Sequence, residues 1–199
     1  IFNPPSSNLI LEAFSRCQIR GTAITRRHMY EANQSVNYVL ADWNNRGVNL
    51  WEVDLQTITI VAGTATYVLP ATTTTVLDVY RSNVDGAGPG QNIDSILLPM
   101  SRTQYAMMPN KEQEGTPTLY WFDRQITPQL TFWLVPDTGS PTFEISYYRL
   151  KRIMDSNMAN GSIPEIPYRF IEALAAHVTE KLAEKFAPAL WKDKVNYAR

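Results

Sequence analysis

The chain has 199 residues, 44% hydrophobic and 19% charged, with a formal net charge of −1. That length suits one large domain or two small ones and can bury a core, and the composition excludes a disordered chain. No basic cluster of the kind a dedicated DNA-binding domain carries is visible, and no apolar run approaches the roughly 20 residues that span a bilayer.

Taken from its start, the chain opens with an extended arm, since Pro4 and Pro5 disfavour a helix there. No secretory signal pattern precedes it, and because the sequence starts at Ile1 rather than Met, residues upstream of Ile1 are expected. Ser6 or Ser7 can cap a first helix over about residues 8–19, with Leu9, Ile10, Ala13, Phe14 and Cys17 along one side and Arg20 and Gly21 at its end. A second helix over about 26–46 carries Met29, Ala32, Val36, Val39, Leu40 and Trp43 at helical spacing. Thr25 supplies a cap, and Gly47 supplies the left-handed residue that stops it. The short link between the two predicts an antiparallel pair.

The period then changes. Trp51, Val53 and Leu55 alternate with Glu52, Asp54 and Gln56, which predicts a strand, and Ile58 and Ile60 shift phase as a bulge or as the true start of the ladder. Ala62-Gly63-Thr64-Ala65 predicts a turn, with Tyr67 and Leu69 returning. Thr72 to Thr75 reads as a β-branched strand entry that Val76 to Tyr80 continues. Residues 85–90, Asp-Gly-Ala-Gly-Pro-Gly, form a connecting loop, lacking the Gly-Lys-Ser/Thr of a phosphate loop and the acidic spacing of a calcium loop. Ser101 and Gln104 make a capping box for a short helix over about 102–107 that stops before Pro109. Three aromatic strands follow, around 116–122, 130–135 and 143–148, with turns at Thr127-Pro128 and Pro136-Asp137-Thr138-Gly139, and an antiparallel meander is expected.

Pro164 and Pro167 lead into a last helix over about 167–187, with Ile171, Leu174, Ala175, Val178, Leu182 and Phe186 on one stripe. Pro188 ends or kinks it. Residues 189–199 form a basic, aromatic tail with little visible reason to fold back. The expected fold is α+β: a small helical bundle of the two N-terminal helices and the C-terminal helix (1–50 and 161–199, tail included) with an inserted antiparallel β-region (51–160).

The residues offer no assembled chemistry. With Cys17 as the one cysteine and His28 and His177 as the two histidines, a Cys/His zinc site is excluded. Cys17 reads as a small buried residue. No Gly-x-Ser-x-Gly elbow occurs. Asp54, Asp78, Asp94, Asp123, Asp137, Glu144 and Asp155 could supply paired carboxylates, but sequence brings no two together. No cofactor and no metal are expected. The acidic and aromatic strands motivate one competing reading, a carbohydrate-binding or glycan-hydrolysing tail-associated β-rich protein.

The order of the motifs resembles a known family. Leu40, Trp43, Gly47, Leu50 and Trp51 give Leu-x-x-Trp-x-x-x-Gly-x-x-Leu-Trp at a helix end. A strand-turn-strand from Thr57 to Pro70 follows, then Gly115-Thr116-Pro117-Thr118-Leu119-Tyr120, Leu130-Thr131-Phe132-Trp133-Leu134-Val135-Pro136, and Ile163-Pro164-Glu165 before a helix with Glu172-Ala173-Leu174-Ala175-Ala176. Over roughly residues 8–187 this is similar to the head-to-tail adaptor (head-completion, tail accessory) proteins of tailed bacteriophages, especially short-tailed ones.

The resemblance implies a structural, non-enzymatic protein of the virion at the head–tail junction, assembled in the host cytoplasm. It implies a homo-oligomeric, typically dodecameric ring beneath the portal protein, meeting a tail nozzle or tail tube protein on the other side. DNA passes through the lumen without specific binding, and no membrane is involved. C-terminal segments of such adaptors commonly reach the portal. The tail residues Trp191, Lys192, Lys194, Tyr197 and Arg199 are therefore the candidate portal-docking group, with aromatic anchors and steering charges.

Overall fold

The computed structural model describes residues 3–83, 94–137, 143–157 and 162–198. The fold is α+β, as the sequence predicts, and the chain forms two compact units: 1–51 with 153–199, and 52–152.

The helical unit contains α1 (Ser6–Arg16), α2 (Arg26–Asn45), α4 (Ile171–Phe186) and α5 (Trp191–Ala198). The apolar stripes of α1, α2 and α4 meet in one core that includes Ile10, Phe14, Val36, Leu40, Trp43, Leu174, Val178 and Leu182. The caps of α2 follow the sequence. Thr25 Oγ1 accepts from the His28 N–H, and His28 Nδ1 accepts from the Thr25 N–H, each at 3.3 Å. At the other end Gly47 adopts φ 70°. Its N–H donates to Asn44 O at 3.2 Å, and the Val48 N–H donates to Trp43 O at 3.1 Å. This pair of bonds satisfies the last carbonyls, and the left-handed residue it requires is a glycine because glycine has no Cβ to clash.

Three boundaries differ from expectation. Neither Ser6 nor Ser7 caps α1: Pro5 occupies the cap position, and Ser6 Oγ instead donates to Ser162 O at 3.1 Å and accepts from Ser156 Oγ at 2.7 Å. The helix ends at Arg16 rather than near Arg20, because Gln18 turns left-handed at φ 62°. The last long helix begins at Ile171 after a 3-10 turn, Tyr168–Phe170, so Pro167 precedes the helical run instead of opening it.

The second unit holds β1 (Val53–Ile58), β2 (Thr66–Val68), β3 (Thr73–Asn83), β4 (Asp94–Pro99), α3 (Arg102–Met107), β5 (Leu119–Asp123), β6 (Gln129–Trp133) and β7 (Phe143–Lys151). The seven strands form a sheet in the order β1-β7-β3-β4-β5-β6-β2. It curls so that Ile58 and Ile60, next to one edge, and Tyr67 and Leu69, at the other, pack into one core with Val79, Leu97, Leu130, Phe132 and Tyr147. Ser101 and Gln104 cap α3 reciprocally, as the sequence predicts.

The pairing differs from the expected meander. β5 and β6 do pair antiparallel, but β7 lies between β1 and β3, and β4 runs parallel to β5. The strand-turn-strand at residues 57–70 is not a hairpin either, since β1 pairs with β7 and β2 with β6. The turn itself is held by Tyr67, whose hydroxyl accepts from the Val61 N–H at 2.9 Å and donates to Val61 O at 3.2 Å. The phase shift in β1 resolves in favour of Ile58: Val53 and Leu55 face outward, while Asp54, Gln56 and Ile58 alternate inward. The loop read at residues 85–90 lies outside the described residues.

Candidate functional site

Both histidines and the cysteine make structural contacts. The His28 ring caps α2 and packs between Phe14 and Phe186, with centroids 6.2 Å and 5.0 Å away. The His177 Nδ1 lies 2.9 Å from Ala173 O, and its ring stands edge-on to Trp43 at 5.7 Å. Cys17 is buried as expected, its thiol 3.6 Å from Thr179 O; burial pushes that thiol up, and the Lys194 charge partly opposes it.

Three of the candidate carboxylates are tied to neighbouring side chains. Asp54 Oδ2 accepts from Arg149 Nη2 at 2.8 Å and Nε at 3.2 Å, while Oδ1 accepts from Gln56 at 2.8 Å. Asp94 accepts from Ser82 at 2.6 Å, and Asp123 from Gln125 at 2.6 Å. Asp78 and Glu144 are exposed on the sheet. Among the described residues, no group of three or more His, Cys, Asp or Glu is placed to hold a metal ion.

Arg149 carries a signal that residue-type reasoning missed. It continues the inward phase of Phe143, Ile145 and Tyr147, so its charge is buried. Nη1 donates to Thr72 Oγ1 at 3.1 Å and Thr73 Oγ1 at 2.9 Å. Two hydroxyls of the threonine run thus satisfy donors that Asp54 leaves over, as a buried guanidinium requires. The aromatic strands are likewise mostly core: Tyr120, Phe132, Phe143 and Tyr147 are buried.

The candidate docking tail is a helix. After the turn at Pro188, the Trp191 N–H donates to Pro188 O at 3.3 Å and the Lys194 N–H to Leu190 O at 3.2 Å, starting α5. α5 packs on α4, contrary to the expectation that the tail has no reason to fold back. Its physical basis is local: Pro188 breaks α4 but suits the first turn of the next helix. Trp191 is 38% exposed, Lys192 is exposed and Lys194 half-buried. Positions 191 and 194 share a helix face. Tyr197 belongs to the same helix, while its side chain and the whole of Arg199 lie outside the described residues. Beside α2 and α4, a groove of about 480 Å³ is lined by Trp43, Arg46, Phe170, His177 and Glu180.

The comparison with known families decides the class. A family model described as SU10 adaptor protein matches residues 18–198. The chain belongs to this family. The match runs from the end of α1 through the sheet to α5, so it covers both units. No curated protein matches the chain. This SU10 adaptor family is one of bacteriophage structural proteins, and membership implies association with portal and tail proteins and a place in the virion at the head–tail junction. Among the described residues of this adaptor, no helix is long and apolar enough to cross a membrane.

Proposed function

We propose that this chain forms a closed homo-oligomeric ring, dodecameric, beneath the portal, extending the DNA channel and giving the tail nozzle or tube its docking surface. The observation that carries this reading is the adaptor-family match over residues 18–198. Composition supports it: a net charge of −1 suits a lumen that lets DNA pass without gripping it. A ring subunit also needs side surfaces that close under rotation, and the exposed aromatic and aliphatic side chains of both units offer them.

In this reading α5 reaches the portal, with Trp191 and Tyr197 as anchors and Lys192, Lys194 and Arg199 steering towards acidic portal surface. Assembly takes place in the host cytoplasm, the finished ring aids genome retention and ejection, and no turnover is involved. The test mixes purified chain with isolated portal rings of the same phage and follows co-sedimentation. Saturable binding of one adaptor ring per portal ring is expected; no binding at any ratio contradicts the proposal. The same preparation is expected to give background rates on peptidoglycan, polysaccharide and nucleotides, and activity abolished by one Asp or Glu substitution would overturn the non-enzymatic reading.

A further inference from the structure

The sheet of residues 52–152 has a second face. Partners in an antiparallel ladder point to the same side, so the register defines rows across β1, β7, β3 and β4. Leu55, Tyr148 and Asp78 make one row. Ser146, Tyr80 and Ile96 make the next, and Glu144, Ser82 and Asp94 close one end. None of these residues belongs to the sheet's core. A sheet face open to water ordinarily carries polar side chains. Here Leu55 is 46%, Tyr148 40%, Ile96 66% and Leu98 58% exposed. The Tyr80 and Tyr148 rings lie 6.2 Å apart, which makes the patch continuous across β3 and β7. A contiguous apolar patch of this kind marks an interaction surface.

We propose that this face docks on α2 of a second copy of the chain, a heterologous contact that repeats from subunit to subunit. The proposal rests on the ring reading above and names the surfaces that build the ring. Charge selects the occupant. Among the described residues, the charged side chains at the outward positions of these strands are Asp78, Asp94 and Glu144, so two copies of the face repel each other. Residues 52–152 carry ten Asp and Glu against seven Lys and Arg, net −3, and the remaining residues nine against eleven, net +2. The helical unit therefore has the opposite sign.

Within that unit α2 presents Arg27, Tyr30, Gln34 and Tyr38 at i, i+3 and i+4 spacing, with Tyr30 61% and Tyr38 65% exposed. Gln34 Nε2 donates to the Tyr30 hydroxyl at 2.8 Å, holding the row together. Arg27, paired with Glu31 at 2.8 Å and still 85% exposed, stands with Arg26 at its start. The lengths match. Arg27 to Tyr38 spans roughly 16 Å at 1.5 Å per residue. Glu144 to Tyr148 spans roughly 13 Å at 3.3 Å per residue. Seating the arginines on the Glu144–Asp94 end places Tyr30 and Tyr38 along the apolar rows.

The test uses two double variants of the full chain, Ile96→Glu with Tyr148→Glu on the sheet and Tyr30→Glu with Tyr38→Glu on α2. Self-association is measured by sedimentation without portal. All four positions are exposed, so thermal midpoints are expected to stay near wild type; should the sheet variant lose its cooperative melt, Leu98→Ser replaces it. Each variant is expected to weaken self-association about tenfold or more. An equal mixture is expected to give a one-to-one dimer and nothing larger, because each variant keeps one intact face. Wild-type chain monomeric at its highest soluble concentration, a sheet variant that associates like wild type, a helix variant that still pairs alone, or a mixture that stays monomeric would each overturn the proposal. Because no portal is present, that failure is separate from a failure to bind portal rings.

Discussion

Replacing Trp43 by Ala perturbs the centre of the helical unit. Trp43 is 4% exposed, with ring centroids 6.0 Å from Phe170 and 5.7 Å from His177. A buried Trp removes ~200 Å² from water, which at ~25 cal/mol per Å² is ~5 kcal/mol. The Ala that replaces it keeps a part of that. Each lost ring contact adds ~0.5–1.5 kcal/mol. Trp43 also lines the groove beside α2 and α4, so water can enter the space it leaves and the cavity penalty is partly relieved. The expected cost is ~3–4 kcal/mol, within the usual range for Trp→Ala. Urea unfolding followed by far-ultraviolet circular dichroism reads it, since helices dominate that signal. With a slope of ~2 kcal/mol/M, the midpoint falls by ~1.5–2 M. Trp191→Ala, at 38% exposure, is the comparison and should cost under ~1 kcal/mol. A Trp43 loss below ~1 kcal/mol would refute its place in the core.

Gly47→Ala meets no neighbour within 4 Å, but it forces a side chain into φ 70°, so a loss of ~1–2 kcal/mol is expected in the same urea experiment. In the sheet unit, the Gln56 amide holds the Asp54 carboxyl below its ordinary value, Arg149 adds to this, and burial opposes it. That carboxylate's contribution is present above the unfolded value of about 3.9 and is lost as pH falls through the lower folded value. Asp54→Asn should therefore flatten the acid limb of stability below about pH 4, read by tryptophan fluorescence; an unchanged limb would remove Asp54 from the account. Changing Trp191 to Ala with Lys192 and Lys194 to Glu should leave the fold intact and weaken portal-ring binding at least about tenfold, and undiminished binding would leave α5 without that role.

Local signals were legible in the sequence where one residue decides the geometry. Thr25 and Gly47 bound α2 to within a residue or so, and Ser101 with Gln104 placed α3. The 3.6-residue stripes of α1, α2 and α4 identified the helical core, Trp43 included. Strand pairing was not legible, because alternation tells which residues share a face, but neither which face turns inward nor which strand lies alongside. β7 follows β6 in the chain yet pairs with β1 and β3. The phase of β1 misleads for the same reason: Val53 and Leu55 look like core residues but face out, and the inward Asp54 is made tolerable by Arg149, 95 residues away. At the candidate docking site, charge and aromatic content were readable from 189–199, while its packing as a helix on α4 depends on how the turn at Pro188 directs the chain.

The most direct test of the adaptor assignment is a reconstruction of the head–tail junction in intact particles of the source phage, without imposed symmetry. The account predicts this chain as a single dodecameric ring between portal and tail, α5 against the portal and the outer sheet face against α2 of the neighbouring subunit. Density for the chain on the capsid surface or on tail appendages, or its absence from the purified virion, would contradict it.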